Sequence, residues 1–492
     1  MEKFSYAYGI NHFEYDENLD KVLKIFWKDY EKYKEKIKLF GNYVSRDVYE
    51  ITEYIDRVSR PILRYYSPIG ERIDYVWVNP FLKIVLEKLN EFEINSRTFL
   101  DESLFYHYVL GYLLADAGLY CIVTLTHQTA IMLYKYSKFE KIYKKMFGIE
   151  KPYVYGGTWL TEIRSGSDLS LNETNAKIKD DIWLLNGFKY FASNVGIADY
   201  SLVSAKYDES KGIKGLALFL VPKYNNEGKL NYKIVRLKEK SATNSVPTGE
   251  VELNNSEVYL IGDLENGIYY ILEMLMYSRL DNSIGAIGLA LKSYIEACEF
   301  SKRRKVFGNY LINFPLIRKD LEEIKNNIKK GLVITFKAIS EFEKVWKEKP
   351  KFSKNYDYAR FLTHIAKNRT AELSIKSTLL AREIFGGFGF LNESPIERLH
   401  REALVTPIWE GSSNIQALDM LEVLLKKNIF DLFMEDFSKI SNPQKLNKIE
   451  NYYKNFLKLS DYEKQYYAKE LLNKFSEFIE SSYDIWKFVF KK

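Results

Sequence analysis

At 492 residues, with 46% hydrophobic and 28% charged side chains, the chain is too long for one small core and fits two to four domains. Its 72 Lys plus Arg against 66 Asp plus Glu leave a formal charge of +6, so the totals show no basic tract of the kind a nucleic-acid surface needs. The two cysteines, Cys121 and Cys298, lie in helical-looking apolar stretches and exclude a disulfide framework or a cysteine metal cluster, and no signal-like N-terminus or membrane-length apolar window occurs, so a cytoplasmic protein is expected.

Residues 1–154 carry helix-period apolar positions, among them Tyr108, Leu110, Tyr112, Leu113 and Ala117, then Ile122 to Leu133, and predict an N-terminal helical domain without strands. Across residues 155–264 six β-prone runs follow: TNAKIKDD, IWLLNGFKYFAS, YSLVSAKY, GLALFLVPK, NYKIVRL and GEVELNNSEVYL. Asn-Gly, Lys-Gly, Asn-Asn and Asp-Asp separate or punctuate them, which predicts a compact β domain, barrel or sandwich, with Asn186-Gly187 as a hairpin turn. The helical period returns from Gly267, and interruptions at Gly308, Pro350 and Gly386-Gly387 divide residues 265–427 into four or five helices of a bundle. Residues 428–492 read as a helical appendage rich in Lys and Tyr. The fold class is therefore multidomain α+β.

The five histidines (His12, His107, His127, His364, His400) show no HExxH spacing, and neither GxSxG nor GxxxxGK[ST] occurs, so a zinc site, a nucleophile elbow and a P-loop are not expected. Gly386, Gly387 and Gly389 follow a helix instead of a strand, unlike a dinucleotide fingerprint. Four other segments could carry chemistry. Leu160 to Asp168 combines small hydroxyl residues with Gly166, letting backbone amides approach an anionic ligand, although a domain linker has the same composition. Asn186 to Asn194 ends a strand in an aromatic plus a hydroxyl, which suits a flat heterocycle or simply a core strand. Lys302 to Gly308 reads as a basic helix C-terminus ended by glycine, complementing the helix dipole or holding phosphate. In PIWEGSSNIQ (407–416) a single glutamate stands between an indole and small hydrogen-bonding residues, placed either for a helix dipole or for proton transfer.

Taken in order, TEIRSGSD, NGFKYFASN, SRLDNSIGAIGLA, RKVFG, EIFGGFGF and IWEGSSNIQ resemble the motifs of the acyl-CoA dehydrogenase flavoproteins over roughly residues 100 to 425. RYYSPIGERIDYVWVNP, KVFGNYLINFPLIRKDL and Trp409 look most like the AidB branch. The resemblance implies an N-terminal helical domain, a central β domain and a C-terminal four-helix bundle, a homotetramer, FAD as cofactor and an acyl-CoA substrate in fatty acid metabolism. Electrons would pass to an electron-transfer flavoprotein or to O2. By matching position, Thr161, Ser167, Phe191, Ser193, Arg304, Phe307, Gly386, Gly387, Ser412 and Asn414 would bind FAD, Ser167 and Arg279 would meet substrate, and Glu410 would be the catalytic base. In that role Glu410 removes the acyl α-proton as the β-hydrogen leaves for flavin N5, and an apolar wall such as Trp409 would tune its basicity. Tyr277 and Asp281 join Arg279 as expected pocket residues, unless Arg279 and Asp281 form a helix-packing ion pair.

Departures from the pattern are Pro315 and Arg318 where glutamines are usual, Glu383 before the diglycine, and Phe191 in place of Trp; Arg318 could still meet phosphate. Two rival readings are an AidB-like DNA-binding or protective role and an acyl-CoA oxidase. Residues 428–492 hold eleven Lys and no Arg against ten Asp plus Glu, a net of +1 and a weak footprint for DNA. Tyr452, Tyr453, Tyr466, Tyr467 and Tyr483 are expected to pack between helices.

Overall fold

The computed structural model describes residues 5–483. Helices α1 (His12–Tyr15), α2 (Leu19–Phe26), α3 (Tyr30–Tyr43) and α4 (Tyr49–Val58) precede a hairpin of β1 (Ile62–Tyr66) and β2 (Arg72–Trp77), then α5 (Pro80–Glu91), α6 (Ser96–Leu100), α7 (Phe105–Leu114), α8 (Ala117–Tyr136) and α9 (Glu140–Met146). Seven strands follow: β3 (Gly156–Trp159), β4 (Asn175–Lys179), β5 (Ile182–Ser193), β6 (Tyr200–Lys206), β7 (Leu216–Pro222), β8 (Lys233–Leu237) and β9 (Thr248–Ile261). Next come α10 (Gly267–Arg303), the small hairpin β10 (Lys305–Val306) and β11 (Asn309–Tyr310), α11 (Pro315–Glu343), α12 (Lys354–Phe385), α13 (Pro395–Ala403) and α14 (Ser413–Lys426). The last helices are α15 (Phe430–Ser438), α16 (Pro443–Leu457), α17 (Asp461–Tyr466) and α18 (Ala468–Ser482). The end of the expected appendage, residues 484–492, lies outside the described residues.

The chain divides into two compact units, each described by itself. The barrel unit comprises Glu50–Ser103 and Ala117–Ser278; the helical unit comprises Met1–Tyr49, Leu104–Asp116 and Arg279–Lys492.

In the barrel unit all six β-prone runs form strands, and β6, β4, β5, β9 and β7 pair in a closed ring, with β3 parallel on β6 and β8 antiparallel on β9. Closure removes free edges and buries Leu202, Val203, Leu218, Leu220 and Val251. Asn186-Gly187 is not the hairpin turn. The turn is Asp180-Asp181, both at positive φ, between the paired Lys179 and Ile182, as a two-residue hairpin requires. Gly187 instead sits at a register shift inside β5, where a Cβ would stand 2.6 Å from Thr174 Cα. The β1–β2 hairpin corrects the all-helical reading of residues 1–154. It escaped the periodicity because both strands expose apolar residues, so the alternation of a half-buried strand is blurred.

In the helical unit, α10 and α11 cross at Gly331, where a Cβ would stand 2.3 Å from Ile287. Phe300 of α10 stacks on Phe385 of α12 with centroids 4.4 Å apart. Pro315 opens α11, and Ser353 caps α12 through the Tyr356 amide. The appendage docks on α12: Phe361 packs against Phe433 and Phe475, Tyr358 donates to Asp436 (2.6 Å), and Arg369 pairs with Glu480 (2.6 Å). Tyr453 and Tyr483 are buried there, but Tyr466 and Tyr467 are exposed, which corrects the expectation that the whole tyrosine set packs between helices. Among the described residues no helix is long and apolar enough to cross a membrane.

Candidate functional site

In the barrel unit the loop after β3 is fixed by a buried ion pair. Lys189 of β5 donates to Glu162 Oε1 (2.6 Å), to Ser204 O (2.8 Å) and to Leu160 O (3.3 Å). The Glu162 carboxylate also accepts the amides of Glu173 (2.6 Å) and Thr174 (3.1 Å). Burial works to raise the Glu162 pKa, yet Lys189 and these hydrogen bonds outweigh it and hold the carboxyl below its ordinary value. Burial pushes the Lys189 ammonium down to about 8 despite Glu162. The pair explains why TEIRSGSD and NGFKYFASN belong together: each supplies one charge.

The consequence is placement. Thr161 O accepts the Tyr190 amide (2.9 Å), which brings Thr161 beside Phe191. Trp159 Nε1 donates to Ser193 O (3.0 Å), and the Ser193 hydroxyl shares a hydrogen bond with Thr248 (3.1 Å). Phe191 stays 48% exposed at the strand end. Ser167 is exposed, next to Gly166, around whose backbone nothing lies within 4 Å of an added Cβ. Lys238, paired with Glu250 (2.5 Å), places its ammonium 3.1 Å from the Tyr190 ring centroid and 5.1 Å from that of Phe191.

In the helical unit two clusters form. The Phe300–Phe385 stack joins the end of α10 to the end of α12, so Arg304 and Phe307 share a region with Gly386 and Gly387. The basic run does not end in a helix C-cap glycine as expected. The α10 helix stops at Arg303, and Phe307-Gly308, both at positive φ, form the turn between β10 and β11. This turn lifts Phe307 to 97% exposure. Arg304 is exposed, and Gly386 and Gly387 leave open backbone with nothing within 4 Å of an added Cβ. Arg318 donates to Ile312 O (2.9 Å) and to Asn313 Oδ1 (3.3 Å).

The second cluster surrounds Glu410, in the turn between α13 and α14. Glu410 has φ +57°, a left-handed conformation that costs a non-glycine residue roughly 1–2 kcal/mol, and Gly411 follows at +93°. Three donors hold the adjoining carbonyls. Arg279 Nε donates to Glu410 O (3.2 Å), Gln416 Nε2 to Glu410 O (2.9 Å) and Gly411 O (3.1 Å), and Lys367 Nζ to Gly411 O (2.6 Å). Arg279 also pairs with Asp419 (3.0 Å), while Asp281 bonds His107 (2.9 Å). His364 Nδ1 lies 3.0 Å from Gln416 Oε1 and 3.4 Å from Arg279 Nη1; burial, then the charge of Arg279, pushes its pKa well down, so the ring is neutral. The Trp409 indole N–H donates to Asn282 Oδ1. Ser412, the N-cap of α14, and Asn414 are exposed beside this turn.

Lys367 and Gln416 were not singled out from the sequence. The signal for Lys367 was register: it falls among Thr363, Ala366, Thr370, Ser374 and Ser377, the buried face of α12, where a lysine needs a reason.

The donor sets fit a flavin nucleotide within each unit. The barrel unit offers an exposed aromatic beside a hydroxyl, suited to a flat ring system. The helical unit offers open diglycine backbone beside an exposed Arg and Phe, suited to phosphate and adenine.

Known proteins give the same direction. Residues 157–256 match the acyl-CoA dehydrogenase middle domain and residues 265–425 the acyl-CoA dehydrogenase C-terminal domain, together more than half of the chain. The chain is 29% identical over 404 residues to AidB of Escherichia coli (strain K12), over 78% of this chain and 73% of that protein. It is 30% identical over 293 residues to the 3-(aryl)acrylate reductase of Clostridium sporogenes (strain ATCC 15579), over 58% of this chain and 72% of that protein. The structure of Caenorhabditis elegans ACDH-11 in complex with C11-CoA is similar with a TM-score of 0.83 at 24% identity, covering 96% of this chain and 86% of that one.

Proposed function

We propose, on the premise that this chain belongs to the acyl-CoA dehydrogenase family of FAD-dependent oxidoreductases, that it dehydrogenates an acyl-CoA thioester with Glu410 as the base. The observation that carries this reading is the Glu410 turn: a carboxylate on a left-handed backbone whose carbonyls are held by Arg279, Gln416 and Lys367. Such strain persists only where surrounding contacts over-determine it, and it clusters at functional sites.

FAD, when bound, supplies the two-electron acceptor that takes the substrate β-hydrogen with its electron pair. In the barrel unit Thr161, Phe191 and Ser193 would hold its ring system and Ser167 would meet phosphate or substrate; in the helical unit Ser412 and Asn414 would contact the cofactor. Arg304, Phe307, Gly386 and Gly387 hold the adenylate end of the cofactor in a homotetramer. The chain's own chemistry is proton transfer. Glu410 takes the α-proton and keeps it on its carboxyl, while the Trp409–Asn282 hydrogen bond fixes the neighbouring indole. Arg279 serves the reaction by holding the Glu410 carbonyl. The complex of the C. elegans relative with C11-CoA supports an acyl-CoA as the substrate class. The electron acceptor would be an electron-transfer flavoprotein or O2.

The test is an anaerobic visible spectrum of the FAD-loaded protein with a panel of acyl-CoAs. Bleaching by one chain length is expected, and Glu410→Gln is expected to slow it ~10²–10⁴-fold while keeping the flavin. A bound flavin that no thioester reduces, or one that Glu410→Gln reduces as fast as the parent, overturns the proposal.

A further inference from the structure

We propose that Lys367 is a positioning residue for this reaction: its ammonium, seated on the Gly411 carbonyl, holds Glu410 in its left-handed conformation and sets the pH range in which the base is correctly placed. The inference deepens the assignment of Glu410 as the base and rests on it.

The geometry carries the argument. Lys367 is fully buried on α12, a position that costs an ammonium several kcal/mol of solvation without compensation. Its Nζ spends a 2.6 Å bond on a backbone oxygen one residue beyond the base. A neutral donor, Gln416, already reaches that oxygen, so satisfying the carbonyl does not by itself require a cation. A cation adds attraction to the nearby Glu410 carboxylate and a stronger, charge-assisted bond.

The charges acting on Lys367 are Glu410 from the turn, which favours its protonation, and Arg279 from α10, which opposes it. Beyond them, Asp419 of α14 and Arg360 of α12 act on Arg279, and His364 of α12 is neutral. Burial dominates and pushes the Lys367 ammonium down to about 7. As pH rises through that value the ammonium becomes an amine, the bond to Gly411 O loses its charge assistance, and the Glu410 turn loosens.

The experiment measures the limiting rate of anaerobic flavin reduction by acyl-CoA from pH 5.5 to 9.5 in the parent, Lys367→Met and Lys367→Arg, with Glu410→Gln alongside. Amide hydrogen exchange of the 404–416 segment is followed in the same proteins. The expected parent profile falls through an inflection near pH 7. Lys367→Met is expected to lower the plateau rate about tenfold or more, leave the dissociation constant of the thioester within about twofold, and abolish the inflection. Its segment 404–416 exchanges faster while the global unfolding midpoint stays cooperative. Lys367→Arg, which cannot deprotonate in this range, is expected to restore most of the rate and also lose the inflection. An inflection that survives in both variants, or a Lys367→Met protein with parental rate and parental exchange, overturns the role of Lys367. Failure of the base assignment looks different: there Glu410→Gln itself keeps the parental rate.

Discussion

The two units each bury a lysine beside a glutamate, and they use the pair differently. In the barrel unit Lys189 bonds Glu162 directly at 2.6 Å, and the carboxylate is further satisfied by two amides. In the helical unit the Lys367 bond goes to the Gly411 carbonyl, and Glu410 acts on it by Coulombic attraction. The first ammonium is held down to about 8, the second to about 7. A closed ion pair is a fastening, because both charges are consumed in fixing the loop. The second cation instead fixes the backbone of the turn that carries Glu410.

The largest effect should come from opening the fastening. Lys189→Met leaves the Glu162 carboxylate buried without its cation and is expected to cost about 3–5 kcal/mol, read as a lower urea midpoint. Adding Glu162→Gln should recover part of the loss; no loss at all would mean the pair is not what holds the loop after β3.

The Lys367 arrangement should respond oppositely and with pH. Its folded-state value lies below that of the unfolded chain, near 10.4. Between about pH 7 and 10 the unfolded state therefore binds more protons, and stability rises with pH across that window; below about 7 the ammonium must be carried in the folded protein. Removing it in Lys367→Met should be more favourable at pH 6 than at pH 9 by about 2 kcal/mol, a difference checked by urea unfolding at the two values. A pH-independent difference would make Lys367 another fastening.

Gln416→Leu should be smaller. It strips one donor from each of the Glu410 and Gly411 carbonyls and a partner from His364, at about 1–2 kcal/mol. Flavin reduction should slow while thioester affinity is kept. Phe307→Ala should be smallest in stability, within about 0.5 kcal/mol, because the ring is 97% exposed. Release of FAD on dilution should nevertheless be faster than in the parent, and unchanged retention would remove Phe307 from the cofactor site.

Much of this was legible in the chain itself. The six strand runs and the long helices from Gly267 to Lys426 follow from apolar period, whereas Glu410 was singled out only because its motif stands in order with five others of the family; alone it reads as a charge near a helix N-terminus. The sequence also brought Glu162 and Lys189 into view inside quoted motifs, though not their pairing, since residues 27 apart meet only when the loop after β3 packs on β5 and β6.

Tertiary structure decided the rest. The β1–β2 hairpin was hidden because its exposed apolar residues break the alternation that marks a half-buried strand. Asn186-Gly187 carries the composition of a turn but serves as a bulge, because Thr174 occupies the space a Cβ at Gly187 would need. Arg279 and Lys367 read as charges on helices until α10, α12 and the Glu410 turn converge and show which atoms they touch. Residue types and their local period are one-dimensional facts, so the sequence by itself determined most of the elements and, through its ordered motifs, the family. Which buried cation meets which oxygen depends on contacts between distant segments, as between Arg279 and Glu410, 131 residues apart, and the fold alone selects them.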